Sequence, residues 1–168
     1  MKSHELFQHM SPALSQEILA YLQTERTDDY KHIVQGVAQQ RKLRPVFVER
    51  KTTAERYPWL QNALGRKVSD TFAAHVLQAW LLGANKSLLC DFLDALGIAH
   101  DDDGTVENLP ESPSKEKLRE VITGLLDKYP AEKVSIYLHA FHDMDTTVSW
   151  PPLGEVLAED ERLKLGAA

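Results

Sequence analysis

The seven residues HAFHDMD, 139–145, place two imidazoles three positions apart and follow them with two carboxylates. Side chains three apart on a helix are neighbours, and imidazole with carboxylate suits zinc, nickel or iron. His139, His142, Asp143 and Asp145 are therefore the candidate metal ligands, and a metal-dependent hydrolase is the activity they would serve. His100, beside Asp101, Asp102 and Asp103, joins them only if the loops after two separate helices lie side by side. Against a metal centre, the spacing matches no HExxH or comparable signature. A histidine in the last turn of a helix is also explained by the negative end of the helix dipole. On a wheel whose inner face is Val134, Tyr137, Leu138 and Phe141, His139 falls with Ser135 and Glu132 on the polar arc and His142 at its boundary. The expectation is no cofactor and no assigned catalytic residue.

The stretch AHDDDGTVENLPES, 99–112, raises the question of calcium. With Gly104 at position 6 of a twelve-residue calcium loop, Asp101, Asp103 and Val106 take positions 3, 5 and 8. Position 1 is then Ala99 and position 12 is Pro110, so both the leading carboxylate and the closing bidentate ligand are missing. The stretch reads as a solvated turn built on Asp-Gly. Cys90, the one cysteine, excludes an internal disulfide and a cysteine-based zinc site, and its acidic neighbours Asp91 and Asp94 disfavour a thiolate. His75, among apolar neighbours, reads as a hydrogen-bonded core histidine. No GxSxG, GxxxxGK or GxGxxG is present to supply a nucleophile elbow or a phosphate cradle.

Charge is the more specific signal. Between Arg41 and Lys67 stand eight basic residues (Arg41, Lys42, Arg44, Arg50, Lys51, Arg56, Arg66 and Lys67) against two acidic ones, Glu49 and Glu55. From Ala84 onward the balance is −9, within an overall −6. The basic segment with Trp59 is the candidate partner-binding face, and docking of an acidic protein surface or self-association is the leading functional expectation. Nucleic-acid binding by the same segment is the alternative, with phosphates on the cations and bases stacked on Phe47, Tyr57 or Trp59. The strongly acidic remainder of the chain weighs against a polyanion. Trp59 and Trp150, both beside prolines, are further candidate anchors or else close a helical core.

These residues must be held by helices. Ser11 and Pro12 open one with Leu14, Ile18, Leu19 and Leu22 in phase; Asp28 and Asp29 open a second that stops near Arg44, before Pro45. Pro45–Val48 reads as extended, and TAERYPWLQNALG as helical despite Pro58. A Ser69 or Asp70 cap starts a nearly all-apolar helix, KSLLCDFLDALG ends at Gly97, and Ser112 with Pro113 opens a stripe of Leu118, Val121, Ile122, Leu125 and Leu126. AEKVSIYLHAFHD and SWPPLGEVLAEDERL complete the set. The expected fold is all-α, an irregular orthogonal bundle of about seven helices in a single domain, 1–168, with sub-lobes 1–67 and 68–168. A 45-residue echo between HVLQAWLL/FLDAL and EVITGLLD/YLHAF leaves room for a two-hairpin, solenoid-like C-terminal half, although two copies make no array. The first residues hold no apolar leader core and no apolar run reaches spanning length, so no membrane partner and a cytoplasmic location are expected.

Overall fold

The computed structural model describes residues 1–143 and 150–166. It is all-helical, and among those residues there is no strand. Ten α-helices replace the expected seven or so: α1 Ser3–His9, α2 Pro12–Glu25, α3 Thr27–Gln40, α4 Pro45–Glu49, α5 Thr53–Leu64, α6 Asp70–Ala84, α7 Lys86–Ala95, α8 Lys115–Lys128, α9 Ala131–Asp143 and α10 Pro151–Glu159. Single 3₁₀ turns form at Lys67–Ser69 and Glu161–Leu163. None of the described helices is long and apolar enough to cross a membrane. The chain divides into two compact units, Met1–Trp80 and Leu81–Ala168, with the division inside α6.

In the first unit α2 packs on α3 and α5, and α1 packs on α5. Ser11 caps α2 by accepting the Leu14 amide at 3.1 Å, with Pro12 at the first helical position. Ile18, Leu19 and Leu22 then point into a core shared with Ile33, Val37, Leu60 and Leu64. Helix α1 is held by polar groups distant in sequence. Gln61 donates to the Phe7 and Met10 carbonyls at 3.1 Å each, and the Asp70 carboxylate accepts the His4 amide at 3.0 Å and lies 2.7 Å from its ring. That anchoring, across more than fifty residues, is why a seven-residue helix unread in the sequence is stable. Pro45–Val48, expected to be extended, lies in the helical turn α4, with Pro45 pre-set at its first position and Val48 buried.

The second unit contains α7 to α10, with α8 against α7, α9 and α10. Phe92, Tyr137, Phe141 and Trp150 form a continuous aromatic cluster at centroid spacings of 5.1–6.0 Å. Trp150 is thus a core closure rather than an exposed anchor, and its indole N–H donates to the Pro110 carbonyl at 3.3 Å. The cap of α8 is Ser114, which accepts the Lys117 amide at 3.2 Å; Ser112 instead donates to the Pro113 carbonyl. His100 ties the following loop to α7. Its Nδ1 faces the Asp101 carbonyl and its Nε2 the Asp94 carboxylate, both at 2.7 Å. Both partners are acceptors, so only the imidazolium satisfies both bonds.

Gly36, in the middle of α3, sits so close to Phe72 of α6 that a Cβ there would lie 2.1 Å from the ring's Cζ. Gly36→Ala is expected to destabilise by about 1–2 kcal/mol, because the clash outweighs a helix-propensity gain of about 1 kcal/mol. In a Phe72→Ala background the same change is expected to stabilise, and thermal unfolding of the four-member cycle checks it. The bonds from His100 to Asp101 and Asp94 raise its pKa above the ordinary 6.5. A raised folded pKa contributes stability that is complete below the unfolded value and lost as pH rises through the folded one. NMR titration of the ring is expected to show this upward shift, and Asp94→Asn to reduce it.

Candidate interaction surface

Helix α3 buries Ile33, Val34, Val37 and Ala38 and stops at Gln40, four residues before the expected end. The stop is a Schellman motif: the Leu43 amide bonds the Ala38 carbonyl and the Lys42 amide the Gln39 carbonyl, each at 2.9 Å. Its left-handed position is occupied by Lys42 at φ 55°. Helix α7 ends in the same motif with Gly97 at φ 70°, its Ile98 amide on the Leu93 carbonyl and the Gly97 amide on Asp94. Lysine therefore stands where glycine is the favourable residue, and its charge lies at the negative end of α3.

Beyond this stop the chain displays its cations. Lys42, Arg44 and Arg50 are exposed, as are Arg66 and Lys67 beyond α5. Gln40 draws the two groups together: it donates to the Val68 carbonyl at 2.8 Å and accepts the Ser69 hydroxyl at 2.7 Å. Arg41, Lys51, Arg56 and Trp59 are half-buried. The Arg41 guanidinium lies over the Trp59 ring, 5.4 Å from its centroid, so this pair supports the surface from behind. Arg56 lies beside Tyr30, whose phenol is pushed up by burial and pulled back by the Arg56 charge. Among the described residues of its own unit, none of the eight cations forms an ion pair; the carboxylates Asp29 and Asp70 are engaged by Arg26, His75 and His4.

Reading the basic residues alone overlooks the apolar ones between them. Phe47 is 57% exposed and Val68 63%, and Leu43 and Val46 are exposed as well. The signal is present in RKLRPVFVERK, where Leu43 and the run Val46, Phe47 and Val48 stand among the cations although no core face is defined.

The other candidates are placed differently. Among the described residues no group of three or more His, Cys, Asp or Glu stands where it could hold a metal ion, and Asp145 lies outside the described residues. His139 and Ser135, expected on the polar arc of α9, are both buried. The cause is that α10 and the Glu161–Leu163 turn pack on α9, with the Ser135 hydroxyl donating to the Leu163 carbonyl. His142 and Asp143 are half-exposed, and the His142 ring rests 3.0 Å from where a Gly154 Cβ would stand. Asp101–Gly104 closes as a turn, with the Gly104 amide on the Asp101 carbonyl at 2.9 Å and Gly104 at φ 83°. The Cys90 thiol is pushed up by burial and then by Asp94, Asp91, Asp102 and Asp103, which leaves it a poor nucleophile. His75, expected in the core, is exposed and 2.8 Å from Asp29.

Comparison with protein-family models, with curated proteins and with solved structures gave no match to this chain.

Lys42→Gly is expected to stabilise the fold by about 1 kcal/mol by relieving the left-handed backbone, and Gly97→Lys to destabilise it by a similar amount. Urea unfolding of both variants is the check.

Proposed function

We propose that the protein is a non-enzymatic interaction module that docks an acidic protein surface through residues 41–67. One observation supports this reading. Five exposed cations, Lys42, Arg44, Arg50, Arg66 and Lys67, lack ion-pair partners within their unit and are interleaved with exposed Leu43, Val46, Phe47 and Val68. Solvated cations alone are ordinary, because pairing them on a surface is worth only about 0–1 kcal/mol. Exposed apolar side chains beside them are more informative, since covering a side chain such as Phe47 recovers about 1.5–3 kcal/mol. The partner that uses both is an acidic surface with apolar side chains between its carboxylates; charge steers and orients it, and apolar burial retains it.

The same mixture ranks nucleic acid second. Three of the four exposed apolar side chains are aliphatic and offer no ring to stack a base, and Trp59 already receives Arg41 on its face. Phe47 alone is free to stack, and the acidic remainder of the chain repels a polyanion.

Fluorescence anisotropy with a helical Glu/Leu peptide, its Gln/Leu analogue and a single-stranded oligonucleotide tests the reading. The Glu/Leu peptide is expected to bind best, with affinity falling as salt rises. Arg44→Glu with Arg50→Glu is expected to weaken it at least about tenfold, and Phe47→Ser alone by about tenfold. Tighter binding of the oligonucleotide, indifferent to Phe47→Ser, would replace this reading with the nucleic-acid one, and no binding to any of the three rejects both.

A further inference from the structure

We infer that the acidic surface received by this patch is the loop 101–111 of a second copy of the same chain, an assignment that rests on the docking reading above. The loop lies within residues 96–114, which join α7 to α8 without a helix of their own. Connections of that length in compact units are uncommon and are usually functional or disordered. This one is shaped. Trp150 donates to the Pro110 carbonyl, Asp101 and Thr105 are bonded across the turn, His100 clamps its start, and Gly104 packs on Leu89, where a Cβ would lie 2.6 Å from that side chain. A surface already ordered loses little entropy on docking.

Its chemistry complements the patch. Asp101, Asp102, Asp103, Glu107 and Glu111 give five carboxylates, and no Lys or Arg occurs from 87 to 114. All but Asp103 are exposed, and none forms an ion pair with a described residue of its own unit. The cations that could neutralise them are committed elsewhere: Lys115 to Glu155 and Glu159, Arg119 to Glu159, Lys128 to Asp91, Arg162 to Asp160 and Lys164 to Glu161. Lys86 acts on Asp103 through charge alone. Val106 and Leu109, half-exposed between the carboxylates, supply the apolar counterpart to Phe47 and Val68. Four exposed loop carboxylates and the half-buried Asp103 thus complement five exposed cations in sign. Every copy carries both surfaces, so the contact joins unlike patches of like chains.

Sedimentation equilibrium of the full chain across a wide concentration range, at low and high salt, tests this. The average mass is expected to rise above the monomer with concentration and to return toward it in high salt. Arg44→Glu/Arg50→Glu and Glu107→Lys/Glu111→Lys are each expected to be monomeric alone, because each double reversal removes nearly all of the net charge of the surface it alters. Mixed in equal amounts, they are expected to pair one to one, through the intact loop of one variant and the intact basic patch of the other. Circular dichroism confirms that both variants fold. A wild-type chain that stays monomeric at every concentration, or association that survives in either variant alone, overturns the inference. A monomeric chain that still binds the Glu/Leu peptide overturns the self-association and leaves the docking reading standing; a chain that binds neither loses both.

Discussion

Helix α3 buries Ile33, Val34, Val37 and Ala38 along one side, and that burial fixes the direction in which the chain can leave the core after Ala38. The helix cannot continue through Pro45, which disfavours helical backbone at Arg44. Over four residues the chain must stop one helix, satisfy its last carbonyls and start another. The left-handed Lys42 accomplishes the stop. Its amide and that of Leu43 cover the Gln39 and Ala38 carbonyls, two of the acceptors that the helix end would otherwise leave unpaired. The direction thus set sends Lys42, Leu43 and Arg44 into solvent, and α4, only five residues long, can bury Val48 but not Val46 or Phe47. An exposed basic and apolar surface follows from one backbone choice.

That choice is unfavourable locally, and its retention bears on function. A lysine in the left-handed region costs about 1 kcal/mol relative to glycine, while its charge at the helix C-terminus returns a few tenths of that. Helix α7 shows what the same stop looks like when only folding matters: Gly97 occupies the position, with nothing packed over it. Backbone strain of this kind concentrates where a surface is used. The Arg41–Trp59 stack behind Lys42 is consistent with this, because it orders a long side chain without consuming an exposed cation.

The sequence was most legible where a helix is long and its start is chemically marked. Ser11-Pro12 before α2, Asp70 at the head of α6 and the stripe Leu118, Val121, Ile122, Leu125 of α8 all carry local signals, and each element stands where those signals put it. Helices α1 and α4 were not readable, because seven and five residues complete too few turns to show a period. Their stability comes from Gln61, Asp70 and Pro45, two of them more than fifty positions from the helix they hold. His75 and His139 exchanged places with expectation for a related reason. A helical wheel gives the face an element presents but not which neighbours cover it, so an apolar-looking face left His75 in solvent and a polar-looking one was buried by α10 and the last turn. Of the basic surface, the charges were legible; the exposed Val46 and Val68 were not, since an apolar residue in a sequence is ordinarily assigned to the core.

The two units also differ in how they handle charge. In the second unit the cations of α8 reach across to α10, where Lys115 bridges Glu155 and Glu159 and Arg119 adds a second bond to Glu159. Those bonds hold the Glu159 carboxyl below its usual range. Each such pair is weakly stabilising, yet together they occupy cations that would otherwise be available to other carboxylates of the unit. Asp91 is likewise held low by Lys128 and Tyr129. The loop is thereby left as the one stretch of its unit with five carboxylates and no local counter-charge beyond His100 and the distant influence of Lys86. In the first unit the imbalance has the opposite sign, with Asp29 and Asp70 engaged by histidines and Arg26 and therefore not offered to the basic segment. Pairing in the second unit occupies most of its cations, while the basic segment of the first stays outside the ion pairs of its own unit, so each segment keeps charge that can orient a contact.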